Sequence, residues 1–409
     1  MRQQGEKASG YGSLLTLSFS GLLVGQIVSI LGDRLHHMAL VELISTETSR
    51  FADPASVFEM SKLALAVTLP SILLGPLAGA YIDRANRKQV LIVTDVLRGI
   101  AVLAIPFMRP ALPLWTVYAA VLLLYVANVF FLPARCAIVS EMVPRDHLIR
   151  ANSLLTFGAT LATIVGFGIG GAVAARAGWR IALFIDSATY FVSAAALTLI
   201  RTRFTAVEPR HIKPPSGLRI IREAVDEIRR SKGARAGVLA PPFMVMAGAV
   251  VYVLGVAIIE RANPEGTMYI GLLAALAGTG MALGSYTTGK LFGDVNRARL
   301  IIMGTLCAIM PLTLIGFTDN FLVMGLAVAA AGFAAGPAFV SSETSVQEEA
   351  PQRRQATVFA LRDMSMKAAM IGGAALAPAV GAVFGLQPAL VLLLAGCLLV
   401  GLPVLTYGR

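Results

Sequence analysis

Residues 75–88 read G-P-L-A-G-A-Y-I-D-R-A-N-R-K, from Gly75 to Lys88. An apolar run rich in small residues stops abruptly at Asp83, Arg84, Arg87 and Lys88, and a second apolar run begins at Val90. A short basic clip between two such runs predicts two membrane helices joined by a tight loop. Positive loops are held in the cytoplasm, so the clip also orients the chain.

The remainder of the sequence has the same character. The chain has 409 residues, 56% of them hydrophobic and only 14% charged, with a mean hydropathy of +0.75. Soluble domains carry about 25% charged residues. The apolar runs are long enough to cross a hydrocarbon core of about 30 Å. Backbone groups in that core must be satisfied within their own segment, so the expected class is an all-α polytopic membrane protein. The net charge of +11 is assigned to loops facing the cytoplasm, and not to nucleic acid. The first run, from Leu14, is too long for a signal-peptide core and is expected to remain as a span. Cys136, Cys307 and Cys397 show no metal or redox spacing and are expected to be packing residues.

Hydropathy places spans near residues 14–41, 57–82, 89–108, 113–140, 149–175 and 179–200. A polar segment follows at 201–235. Six further spans lie near 236–259, 267–292, 299–317, 321–346, 355–383 and 386–407. The chain therefore divides into an N-terminal half (1–200), a linker (201–235) and a C-terminal half (236–409). With both termini inside, most Lys and Arg residues fall in cytoplasmic segments, and only Arg50, Lys62, Arg109, Arg176, Arg180 and Arg261 lie opposite. In the linker, Leu218, Ile221, Val225 and Ile228 recur at helical spacing beside Arg219, Arg222, Arg229 and Arg230. This predicts an amphipathic helix lying along an anionic leaflet.

The halves echo each other. Y-T-T-G-K-L-F-G-D-V-N-R-A-R, from Tyr286 to Arg299, overlays the opening stretch, pairing Gly79 with Gly289, Asn86 with Asn296 and Arg87 with Arg297. Asp83 has no acidic counterpart, because Gly293 takes its place and Asp294 follows. F-L-P-A, ending at Ala134, parallels A-G-P-A, ending at Ala338. Two parallel six-span halves are a transporter architecture.

Gly79-x-x-x-Asp83-Arg84-x-x-Arg87-Lys88 resembles the signature loop of the major facilitator superfamily, with Asn86 where a glycine is usual. The resemblance extends over the whole chain and implies twelve helices working by alternating access. It further implies that the loop latches the outward-open state, with Asp83 facing the N-terminus of the eleventh span and Arg87 pairing with carboxylates. A-T-I-V-G-F-G-I-G-G, from Ala162, is similar to the glycine motif of drug:proton antiporters through Gly166, Gly170 and Gly171, although Phe167 replaces its proline. The glycines equally serve close helix packing. Leu132 to Leu154 and Gln26 to Asp33 resemble the macrolide-efflux, siderophore-export and lysophospholipid-transporter branch, which implies an amphiphilic, drug-like or lipid-like cargo.

Charges inside apolar spans mark the candidate site. Asp33 in the first span requires a partner, a wet cavity or a proton, and His36 and His37 follow at i+3 and i+4. Arg135 and Glu343 occupy related places in the fourth and tenth spans. Asp95 and Arg98 are spaced to pair. Arg362, Asp363 and Lys367 are expected to meet the signature loop, and Asp186 needs a partner that the sequence does not identify. Gly284-x-x-x-x-Gly289-Lys290 has a phosphate-loop outline, but Leu291 stands where Ser or Thr is needed and no strand precedes it. No nucleophile–base or metal spacing appears, so neither an enzyme nor a metal site is expected. The expected function is gradient-driven export by a monomer in a bacterial inner membrane, with the proton gradient as energy source and no cofactor. The alternatives are a lysophospholipid facilitator and, more distantly, a membrane enzyme or sensor.

Overall fold

A computed structural model of the chain describes residues 16–47, 54–109, 111–201, 217–255, 258, 266–292, 295–318 and 320–406. All regular structure among them is helical. The N-terminal half contains α1 (Leu17–Glu47), α2 (Pro54–Ile82), α3 (Arg87–Met108), α4 (Trp115–Met142), α5 (Leu148–Ala177) and α6 (Trp179–Thr198). The linker helix α7 (Gly217–Arg230) follows. The C-terminal half contains α8 (Lys232–Val250), α9 (Gly266–Leu291), α10 (Arg297–Ile309), α11 (Phe321–Glu349), α12 (Gln355–Phe384) and α13 (Leu386–Thr406). Among the described residues, eight helices are long and apolar enough to cross a membrane.

Local chemistry sets the boundaries of the helices, and it does so twice. The side-chain oxygen of Asn86 accepts the Gln89 N–H at 3.2 Å and starts α3, and Asn296 accepts the Arg299 N–H at 3.1 Å and starts α10. At the far ends of α5 and α12, Gly178 (φ 87°) and Gly385 (φ 82°) take the conformation that terminates each helix. The sequence repeat is therefore a repeat of capping chemistry.

The bundle helices carry apolar residues on their exposed faces as well as their buried ones. On α3, Leu91, Asp95, Arg98, Val102 and Ile105 are buried, while Val93, Leu97, Ile100 and Phe107 are exposed. An exposed apolar face beside a charged interior is what a lipid-bathed helix presents. Within each half the helices pack on one another. The halves meet where α5 lies against α9 and α2 against α12.

The linker helix departs from expectation. Its residues Ala224 and Ile228 are buried against Val238, Val346, Ala350, Val358 and Phe359, and Glu223 pairs with Arg354 at 3.0 Å. α7 therefore packs Ala224 and Ile228 against the bundle and not against lipid. The protein removes its apolar stripe from water as a membrane would, and also supplies a cation for Glu223. The side chains of Leu218 and Ile221, and residues 202–216, lie outside the described residues. Of the cysteines, Cys136 and Cys397 are buried, whereas Cys307 is exposed.

Candidate functional site

Between the halves lies a cavity of about 960 Å³. Its walls include Gln26, Asp33 and Arg34 of α1, Arg98 of α3, Asn128 and Arg135 of α4, and Phe167 of α5. Ala274, Gly278 and Met281 of α9 and Phe339 and Glu343 of α11 complete them. Each half thus contributes both charge and apolar surface.

Asp33 accepts a hydrogen bond from the Tyr190 hydroxyl of α6 and makes no salt bridge among the described residues. The Tyr190 ring also lies under the Arg98 guanidinium, 4.7 Å from ring centre to Cζ. Arg98 is fully buried and bonded to Asp95, it also lies 4.0 Å from the centre of the Phe131 ring, and Ser193 donates to Asp95 at 2.7 Å. The chain Asp33–Tyr190–Arg98–Asp95–Ser193 places the cavity carboxylate at the mouth of a buried polar network.

His37 does not meet Asp33. It packs edge-on to Phe167, with ring centres 6.0 Å apart. His36 instead reaches Asp186 of α6 at 3.3 Å, both side chains being buried, which supplies the partner that Asp186 required. The physical reason is the rotation of α1. Packing turns Asp33 and His36 toward α6, and the next residue along, His37, then faces α5.

The fifth-span glycines set this rotation. A Cβ on Gly166 would lie 2.8 Å from Cβ of Arg34, and one on Gly170 would lie 3.1 Å from Cα of Leu35. α5 therefore closes on α1 at the residues that flank the cavity charge. Gly171 continues the same helix, and its surroundings lie outside the described residues.

Arg135 and Glu343 meet across the halves at 3.3 Å, and Arg362 approaches the same carboxylate at 3.7 Å. Gln26 accepts from Arg135 at 3.2 Å. From this pair toward the linker end, polar contacts close the cavity. The Gln347 amide donates to the Cys136 carbonyl at 2.7 Å. Asn152 donates to Gln347 at 2.6 Å and to Thr344 at 2.9 Å. Ser140 donates to Gln355 at 2.5 Å. Sequence reading missed these residues. They carry no charge and sit at the ends of apolar runs, where uncharged polar side chains are common.

The Gly75–Lys88 stretch forms the outer part of this closure. The Asp83 carboxylate accepts the N–H of Ala356 at 2.8 Å and the N–H and hydroxyl of Thr357 at 3.0 and 2.6 Å. It thereby caps α12, whose dipole favours an anion there. Burial pushes the Asp83 carboxyl up to about 7, while the Thr357 and Ala356 hydrogen bonds and Arg87 pull it down. A Cβ on Gly79 would lie 2.5 Å from Cα of Thr357, so only glycine lets the two helices approach this closely. Arg87 bonds Glu141 at 2.7 Å and reaches across to the Gln352 carbonyl at 2.5 Å. Lys88 stays in its own half, donating to the carbonyls of Thr198 and Ile200 at 2.7 Å each. Arg84 is exposed.

Arg362, Asp363 and Lys367 do not meet this loop. Lys367 pairs with Asp363 at 3.4 Å and donates to Ser71, deeper in the bundle. Backbone N–H groups at the start of α12 already satisfy Asp83, which leaves those charges to the interior. Among the described residues no cluster of His, Cys, Asp or Glu could hold a metal ion.

This architecture is that of a two-half membrane transporter, and comparison with known proteins identifies the family. The Major Facilitator Superfamily profile matches residues 22–373, and the chain belongs to that family. It is 26% identical over 347 residues to a putative bacilysin exporter, BacE, of Bacillus subtilis (strain 168), covering 84% of each chain. It is 24% identical over 362 residues to macrolide efflux protein A of Streptococcus pyogenes, covering 87% of each. Its fold is similar to the crystal structure of the human organic anion transporter MFSD10, with a TM-score of 0.77, 15% identity, and coverage of 95% of this chain and 99% of the other. The protein is a multi-pass membrane transporter and not an enzyme.

Proposed function

We propose that the protein exports an amphiphilic or drug-like small molecule in exchange for protons, by rocking its two halves around the central cavity. The observation that carries this reading is Asp33. It is a carboxylate at the cavity wall whose described partner is a neutral hydroxyl. Among the described residues no salt bridge engages it, and in this reading it is the acid that carries the coupled proton. Every other acid in the buried network is paired: Asp95 with Arg98, Asp186 with His36 and Glu343 with Arg135. The efflux proteins among its relatives support export.

In this reading the linker end is cytoplasmic, together with both termini, and the contacts around Asp83 and Arg87 hold the outward-facing state. The protein works as a monomer in the bacterial inner membrane, with the proton gradient as its energy source and no cofactor. The test is gradient-driven uptake into inverted vesicles. Asp33→Asn abolishes pH-dependent uptake while the protein still folds, and unchanged pH-dependent transport would overturn the assignment. Uptake that persists with an uncoupler would favour a lysophospholipid facilitator.

A further inference from the structure

We propose that Asp33 and Arg34 form the headgroup site for a zwitterionic amphiphile, whose apolar part enters a second cavity in the C-terminal half. The proposal deepens the exporter reading and rests on it for the direction of transport.

Three arginines line the central cavity, and two are committed. Arg98 is bonded to Asp95 beside two rings, and Arg135 is bonded to Glu343. Arg34 differs. Its guanidinium stands 5.2 Å above the Phe167 ring, its Nε is buried without a hydrogen-bond partner, and it makes no salt bridge among the described residues. The neighbouring acid, Asp33, also lacks a cation at salt-bridge distance. One anion and one cation therefore face the same space from adjacent residues. A ligand with opposite charges a few bonds apart satisfies both, whereas a singly charged ligand leaves one of them without a counter-charge.

The second cavity, of about 330 Å³, is walled by apolar residues including Met244, Leu273, Ile309 and Val328. It shares Ala274 and Phe339 with the central cavity. The two spaces abut at those residues, and a molecule held by its head at α1 has its apolar part directed toward the C-terminal half. The same arrangement accounts for exchange. The cationic group of the ligand and a proton compete for Asp33, and the anionic group is held by Arg34.

The test uses alkyl chains of one length bearing phosphocholine, trimethylammonium, sulfate or maltoside heads, with binding to the full-length protein in lipid nanodiscs. The phosphocholine compound should bind at least tenfold tighter than the other three. Arg34→Gln should lower that affinity about tenfold and leave the trimethylammonium compound unchanged. Asp33→Asn should spare the sulfate compound. An unaltered ranking in Arg34→Gln would overturn the headgroup assignment. Gly248→Leu tests the tail separately. Gly248 lines the second cavity, and a Cβ there meets nothing within 4 Å, so the larger side chain fits without disturbing the helix. It should weaken long-chain binding and spare short chains. Equal losses for both chain lengths would overturn the tail site. Retained maltoside binding shows that the two headgroup variants are folded, and retained short-chain binding shows it for Gly248→Leu. Lysophosphatidylcholine and a hydrophobic dipeptide separate a lipid from a soluble source; binding of either supports the site, and binding of neither overturns it. If the ligand binds as stated but no pH gradient moves it, the exporter reading fails while the headgroup site stands.

Discussion

The loop between α2 and α3 and its copy between α9 and α10 begin from the same chemistry and end in different roles. In each, an asparagine caps the following helix. In each, an arginine one residue later meets a glutamate at the end of a central helix, Arg87 with Glu141 at 2.7 Å and Arg297 with Glu348 at 3.4 Å. The difference lies in what crosses the interface. Asp83 and Arg87 bond to the other half, at Ala356, Thr357 and Gln352. The copy turns inward: Arg297 bonds carbonyls of its own loop and Glu348 of its own half. In that half a carboxylate also caps a helix, but Glu349 does so within the half, accepting the N–H groups of Gly233 and Ala234 at 3.1 and 3.3 Å. A repeat can therefore keep its local geometry while, among the described residues, the contacts across the interface come from the first copy.

The largest effect that would break this contrast comes from Gly79→Leu. The added atoms fall against the Thr357 backbone, and overpacking of this kind costs about 1–3 kcal/mol. The linker-end-closed population should fall by up to about a hundredfold, read as a longer distance between spin labels on the two halves.

Asp83→Ala comes next. It leaves the Ala356 and Thr357 N–H groups without their acceptor at about 2 kcal/mol, which shifts the same distance by about thirtyfold in population. Glu349→Ala should instead lower the unfolding temperature and leave the distance unchanged.

The third prediction concerns pH. Opening the linker end hydrates Asp83 and returns its carboxyl from about 7 toward its ordinary 3.8. The closed state therefore holds the proton more tightly. Acidification from pH 7 toward pH 4 favours closure, by at most about tenfold per pH unit, and above pH 7 this contribution is absent. Asp83→Asn should remove that dependence. A pH-independent distance in the unaltered protein would show that the hydrogen bonds at Asp83 outweigh its burial.

The smallest effect is that of Glu348→Gln, which breaks a partly exposed pair worth about 0.5 kcal/mol. It should alter opening by no more than about twofold.

Much of the site was legible as residues and little of it as partnerships. Asp83, Arg87, Asp33, Arg135 and Glu343 all stand out because charge is rare in apolar runs, and each lies at the cavity or at its closure. Their partners were read less well. Spacing offers Asp33 both His36 and His37, yet Tyr190 takes Asp33 and His36 takes Asp186. Charge suggests Arg362 and Lys367 as partners of the loop, yet backbone N–H groups satisfy Asp83. The stripe on α7 suggests lipid, yet its described residues Val225 and Ile228 pack on protein.

The sequence by itself determined the helices, their caps, the basic loops and the internal repeat. These depend on contacts within a few residues or on the cost of moving charge into hydrocarbon. The tertiary structure alone decided the rotation of each helix and so the partner of each buried charge. A helix apolar on every side has no sequence period that separates its lipid face from its protein face. Its orientation is set by close contacts, such as those of Gly166 and Gly170 against α1 and of Gly79 against α12. Those contacts join residues far apart in the chain, where spacing carries no information.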